Sequence, residues 1–67
     1  MEKCIIHMGS VTLAMKGREI LRSNGLSGEV IRTHGKKGCG YGLQIDCNLL
    51  DSAQKFLRTA GIVYDLL

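Results

Sequence analysis

The architecture of this chain is set by residues 29–47, which run EVIRTHGKKGCGYGLQIDC from Glu29 to Cys47. β-Branched and other apolar residues at the two ends predict strands over Glu29 to Thr33 and over Tyr41 to Cys47. Three closely spaced glycines between them, Gly35, Gly38 and Gly40, are typical of a loop that turns the chain. The two strands are therefore predicted to pair as a hairpin.

A strand and a helix are predicted before this hairpin. Cys4 to Met8 is short and apolar, which is typical of a first strand. Ser10 is a good N-cap for the helix that follows, and Asn24-Gly25 predicts its end, because Gly25 can adopt the left-handed conformation of a C-cap. The apolar face predicted for this helix consists of Val11, Ala14, Met15, Ile20 and Leu21.

A second helix and a last strand are predicted after the hairpin. Asn48 is the predicted N-cap, and Gly61 ends a run of apolar residues at helical spacing. Ile62 to Leu67 is apolar again and predicts the final strand. The apolar stripe of this helix consists of Leu49, Leu50, Ala53, Phe56, Leu57 and Ala60.

Two strand–helix–strand units joined by a hairpin predict an α+β fold of the ferredoxin-like split βαββαβ type. Right-handed crossovers place the strands in the order fourth, first, third, second. Both helices then cover one face of a four-stranded antiparallel sheet. Residues 1–67 are expected to form a single domain, since a chain of this length holds one small core.

Composition and charge exclude several classes of function. The net charge is only +3, and the chain has two tyrosines, one phenylalanine and no tryptophan, so no basic surface with stacking aromatics and no nucleic-acid partner is expected. No apolar run approaches the roughly 20 residues that cross a bilayer, and no signal peptide is recognisable. A cytoplasmic protein that does not bind membranes is expected, and no cofactor is expected.

Cys39 is the predicted reactive residue. The preceding Lys36 and Lys37 are expected to lower the pKa of its thiol, and flanking glycines leave the sulfur open to partners. The topology is expected to bring the loop close to the end of the first strand and the start of the first helix. Backbone amides of the loop can also bind an anion. The residues predicted to complete the site are Lys36, Lys37, Gly38, Gly40, His7 and His34.

Cys4 and Cys47 are predicted to lie at the opposite end of the sheet from Cys39. The sequence favours a role for both as small buried apolar residues. The alternative is a redox pair, if the strand ends bring the two sulfurs within bonding range. Since the three cysteines form no single cluster in this topology, no metal site is expected.

The chain resembles a family of small bacterial domains described as selenium or sulfur carrier-like proteins. The resemblance implies that Cys39 carries a sulfur or selenium atom between donor and acceptor proteins. The chain departs from the family pattern in having Lys36-Lys37 before the Gly-Cys-Gly step and Gln44 after the leucine. The residues that carry the resemblance are Ser10, Ala14, Ile20-Leu21, Gly25, Gly38-Cys39-Gly40, Gly42-Leu43 and Gly61-Ile62.

Three functions of different classes remain open from the sequence. The first is a carrier that holds sulfur or selenium on Cys39 as a persulfide-type adduct. The alternative is a non-catalytic module that binds a small anion or a partner chain through the same loop. A metal-handling domain ranks last, because the loop Met8 to Val11 lacks the paired cysteines that such domains use. The sequence favours a carrier or binding protein over a stand-alone enzyme, and an exposed sheet edge would suit a homodimer.

Overall fold

A computed structural model describes residues 2–35 and 38–66, and the side chain of Cys39 lies outside the described part. These described residues form one four-stranded antiparallel sheet and two helices, which is the predicted ferredoxin-like arrangement. The strands are β1 (Lys3–Met8), β2 (Glu29–Gly35), β3 (Gly38–Asp46) and β4 (Asp65–Leu66), and the helices are α1 (Val11–Ser23) and α2 (Leu50–Thr59), with a 3₁₀ turn at Cys47–Leu49 before α2.

The strand order β2-β3-β1-β4 confirms the predicted order. β3 lies in the middle of the sheet and pairs with β1 from Lys3↔Asp46 to Met8↔Tyr41. It pairs with β2 from Glu29↔Gln44 to Gly35↔Gly38. Both helices pack on one face of the sheet, and the hydrophobic core lies between the helices and that face. The buried core residues are Ile6, Met8, Ala14, Leu21, Leu43, Ile45, Ala53, Leu57 and Ile62.

The glycine-rich segment differs from the prediction, because most of it belongs to the strands. β2 continues to Gly35, and β3 begins at Gly38 rather than at Tyr41. Gly35 pairs with Gly38, so only Lys36 and Lys37 lie between the paired ends, and both are outside the described residues. The glycines expected to form an open loop therefore lie within a β-ladder.

The face that α1 turns to the sheet also differs from the prediction. Ala14 and Leu21 are buried as expected, but Val11 is 40% exposed and Met15 is 52% exposed. The residue of α1 that contacts the sheet closely is Gly17, where an added Cβ would lie 3.0 Å from Cε of Met8 on β1. The helix approaches the sheet closely at this glycine, which a search for large apolar residues does not find.

The second half of the chain has two further differences. Asn48 does not cap α2, since it lies inside the 3₁₀ turn and α2 begins at Leu50. Within the described residues β4 spans Asp65–Leu66, so Ile62 to Tyr64 of the predicted strand lie before it, and Leu67 is outside the described residues. Ile62 is buried, and its N–H donates to the carbonyl oxygen of Leu57 at 3.0 Å, so it ends α2 instead of starting the strand. In the described part of the chain, neither helix has the length and apolar character needed to span a membrane.

Candidate functional site

The site around Cys39 lies where the β2–β3 hairpin extends beyond β1. Cys39 is the cross-strand partner of His34, so their Cα atoms are about 4.5–5.5 Å apart. Pairing between β1 and β3 ends at Met8↔Tyr41, two residues short of Cys39. In the described part of the sheet, β2 is thus the one strand paired with this end of β3. The predicted roles of Lys36, Lys37 and the Cys39 thiol fall outside the described residues.

The side chains of His7 and Thr33 contact each other across one face of β3, next to this site. Oγ1 of Thr33 on β2 and Nδ1 of His7 on β1 share a hydrogen bond of 2.7 Å. Because β1 and β2 lie on opposite sides of β3, about 10 Å apart, the two side chains must reach across β3 to make this contact. Thr33 is only 4% exposed, whereas His7 is partly exposed. We call this contact the His7–Thr33 bridge.

Two glycines of β3 make room for the His7–Thr33 bridge. A Cβ at Gly40 would lie 2.7 Å from Cε1 of His7, and a Cβ at Gly42 would lie 3.1 Å from Cγ2 of Thr33. Carbon atoms do not approach so closely without repulsion. The alternation of glycines along β3 therefore provides space on one face of the sheet, which is a different reason for glycine than the flexibility expected of a loop.

The structure brings together only part of the predicted site. The imidazole of His7 lies against Gly40, the residue after Cys39, and the backbone of His34 lies opposite Cys39. Thr33 was missed, because nothing in its local sequence indicates a partner 26 residues away. The signal that could have revealed this arrangement is the period of two in Gly38, Gly40 and Gly42, since residues at that spacing share a face of a strand.

Replacing Thr33 with valine is expected to remove the His7–Thr33 bridge while keeping the shape of the side chain. The free energy of unfolding should fall by about 0.5–1.5 kcal/mol, the usual contribution of one hydrogen bond, as measured by urea unfolding. The ring nitrogen signals of His7 should also move in the NMR spectrum. Thr12→Val, at an exposed helical position, is the matched control and should change stability by less than about 0.5 kcal/mol. Unchanged His7 signals in Thr33→Val would contradict the bridge.

The other two cysteines lie at the far end of the sheet, as predicted, but they are bonded to each other. The sulfur atoms of Cys4 and Cys47 form a disulfide, with the Cα atoms 4.9 Å apart. Both residues are partly exposed. The preferred prediction, that they are small buried apolar residues, is therefore wrong, and the alternative of a bonded pair is the observed one. Six residues of β3, or about 20 Å, separate Cys39 from Ile45, the partner of Cys4.

Comparison with known proteins yields one match. The model of the family described as "Putative Se/S carrier protein-like" matches residues 3–67. That range includes all four strands, both helices and the three cysteines. No curated protein and no solved structure matches the chain.

Proposed function

We propose, because the chain belongs to the Se/S carrier-like family, that Cys39 is an acceptor thiol which carries one sulfur or selenium atom between two partner proteins. The observation that carries this proposal is the disulfide at the other end of the sheet. Of the three cysteines in the chain, Cys4 and Cys47 are bonded to each other, which leaves Cys39 as the remaining thiol. A single thiol is sufficient for a carrier, whereas a dithiol redox site needs a second cysteine and a metal site needs several ligands.

The transfer step needs only a thiolate and an accessible donor. The Cys39 thiolate attacks the terminal sulfur of a donor cysteine persulfide, the S–S bond of the donor breaks, and the donor cysteine leaves as a thiolate that takes up a proton. The product is a persulfide on Cys39. Delivery to an acceptor thiol repeats the same exchange in the opposite direction. Selenium follows the same route when selenium takes the place of the terminal sulfur.

The position of Cys39 in the sheet supports this role. It lies on the part of β3 that extends beyond β1, where a partner protein can approach from the side that β1 leaves open. His34 lies opposite it on β2, and Lys36 and Lys37 connect the two strands in sequence. We assign Lys36 and Lys37 to the stabilisation of the thiolate and the anionic adduct, since neighbouring cations favour a charged sulfur, and His34 to hydrogen bonding with the adduct.

The His7–Thr33 bridge gives this end of β3 a firm support. The bridge links the strands on both sides of Gly40, so the residue after Cys39 is held between them. A carrier site on a supported strand end presents its thiol to two partners in the same geometry. This role of His7 is one of support and does not require it to act as a base.

Mass spectrometry of the intact protein tests the proposal. The protein is incubated with a cysteine desulfurase and either cysteine or selenocysteine, which supply the atom as a persulfide or perselenide on the desulfurase, and is analysed without reductant. The wild-type chain should gain the mass of one transferred atom, and Cys39→Ser should gain none. The double variant Cys4→Ser/Cys47→Ser is the matched control and should still form the adduct.

Two outcomes would overturn the carrier function. One is a wild-type chain that takes up neither atom, and the other is an adduct that persists in Cys39→Ser. The alternative function, a module that binds a small anion or a partner without covalent chemistry, makes the opposite prediction for this variant. Under that alternative, Cys39→Ser retains binding to the partner, which a pull-down with the purified partner would detect.

A further inference from the structure

The Cys4–Cys47 disulfide joins two places that the backbone already holds together. Cys4 is the second residue of β1, and Cys47 is the first residue after β3. Cys4 pairs with Ile45 in the ladder, and the next pair is Lys3↔Asp46. The bond therefore spans the end of a β-ladder, and it does not depend on a distant or flexible segment.

Contacts other than the disulfide fix the same end of the ladder. The N–H of Cys47 donates to the carbonyl oxygen of Glu2 at 3.1 Å. Nζ of Lys3 donates to a carboxylate oxygen of Asp46 at 2.8 Å. These contacts flank the disulfide on both strands, and neither of them involves a sulfur atom. Two thiols held in this way are at high effective concentration, so the bond can form again in the folded chain.

We propose that Cys4 and Cys47 form a reversible dithiol/disulfide couple that exchanges with small thiols of the glutathione class. This couple is a second redox site, about 20 Å from Cys39 along β3 and independent of the carrier function. Both cysteines are partly exposed, which gives an external thiol access to the bond. Exposed disulfides are more readily reduced than buried ones, which favours a reversible couple over a permanent brace.

The exchange proceeds in two balanced steps. An external thiolate attacks one sulfur of the pair, the Cys4–Cys47 bond breaks, and the released cysteine thiolate takes up a proton. A second external thiolate attacks the external sulfur of the mixed disulfide, which releases the other cysteine and an external disulfide. The net reaction converts one protein disulfide and two external thiols into two protein thiols and one external disulfide.

A titration with glutathione tests the couple in the Cys39→Ser variant, in which Cys4 and Cys47 are the remaining cysteines. The protein is equilibrated at a series of ratios of reduced to oxidised glutathione, quenched with acid, alkylated and weighed by mass spectrometry. Two thiols should appear together in one transition at an intermediate ratio. Starting from the fully reduced protein should give the same curve, and far-UV circular dichroism should be retained throughout.

The matched control is the Cys4→Ser/Cys39→Ser variant, whose single thiol can form only a mixed disulfide with glutathione. Three results would overturn the proposal. They are a bond that stays closed at every ratio, two free thiols at every ratio, and loss of the folded circular dichroism signal on reduction. Because the tested variant lacks Cys39, none of these results bears on the carrier function, which the adduct experiment decides separately.

Discussion

Gly42→Ala should lower the free energy of unfolding by about 3 kcal/mol, the upper part of the range for overpacked sites. An added Cβ would lie 2.5 Å from the carbonyl oxygen of Ile6. That oxygen belongs to the backbone of the neighbouring strand, so no side-chain rotation can relieve the clash. β1 and β3 would have to separate where His7 pairs with Gly42, in the middle of the sheet.

Gly9→Ala provides the matched control for this prediction. Nothing lies within 4 Å of a Cβ at Gly9, and its backbone φ is not positive. Its effect should stay within about 0.5 kcal/mol. Urea unfolding followed by circular dichroism measures both variants. Equal stability of the two variants would show that the strands at Gly42 are farther apart than described.

The sequence predicted a flexible glycine-rich loop, whereas Gly40 and Gly42 lie within β3. Local patterns predicted the hairpin and the C-terminal ends of both helices, where Gly25 and Gly61 have φ of +80° and +76°. The strand order was predicted from the right-handed crossovers. Glycine on a strand is different, because local sequence favours a turn wherever glycines cluster. Atoms of other strands, namely the side chains of His7 and Thr33 and the carbonyl oxygen of Ile6, explain why Gly40 and Gly42 lie within β3.

The same limit applies to the two bonded cysteines and to α1. The sequence placed Cys4 and Cys47 at the same end of the sheet, but the choice between separate thiols and a bond depends on a Cα–Cα distance of 4.9 Å. A strand pattern predicts at which end of the sheet a residue lies, but it does not predict the distance between two Cα atoms to within an ångström. On α1, Gly17 lies in the contact with the sheet whereas Val11 and Met15 are exposed, and an apolar pattern gives no weight to a residue without a side chain.

The second large effect is expected at the disulfide. Opening the Cys4–Cys47 bond should lower the free energy of unfolding by about 4 kcal/mol in the loop-entropy description, because the sequence separation of the two cysteines is 43. The measurement compares urea unfolding of the oxidised protein with that of Cys4→Ser/Cys47→Ser. Cys39→Ser is the control and should unfold at the same urea concentration as the wild type. A difference below about 1 kcal/mol between oxidised protein and double variant would contradict the prediction.

This stability effect and the redox couple are linked by a thermodynamic cycle. The reduced unfolded chain can reach the oxidised folded state by folding first or by forming the bond first, and the total free energy is the same for both routes. If the bond stabilises the fold by about 4 kcal/mol, folding must therefore favour formation of the bond by the same amount. That free energy corresponds to a roughly thousandfold change in the equilibrium constant of thiol exchange. The glutathione titration repeated in denaturant should therefore shift by roughly this factor towards easier reduction. A shift of about tenfold or less would contradict the stability prediction, because the cycle makes the shift equal to the stability difference between the oxidised and the reduced protein.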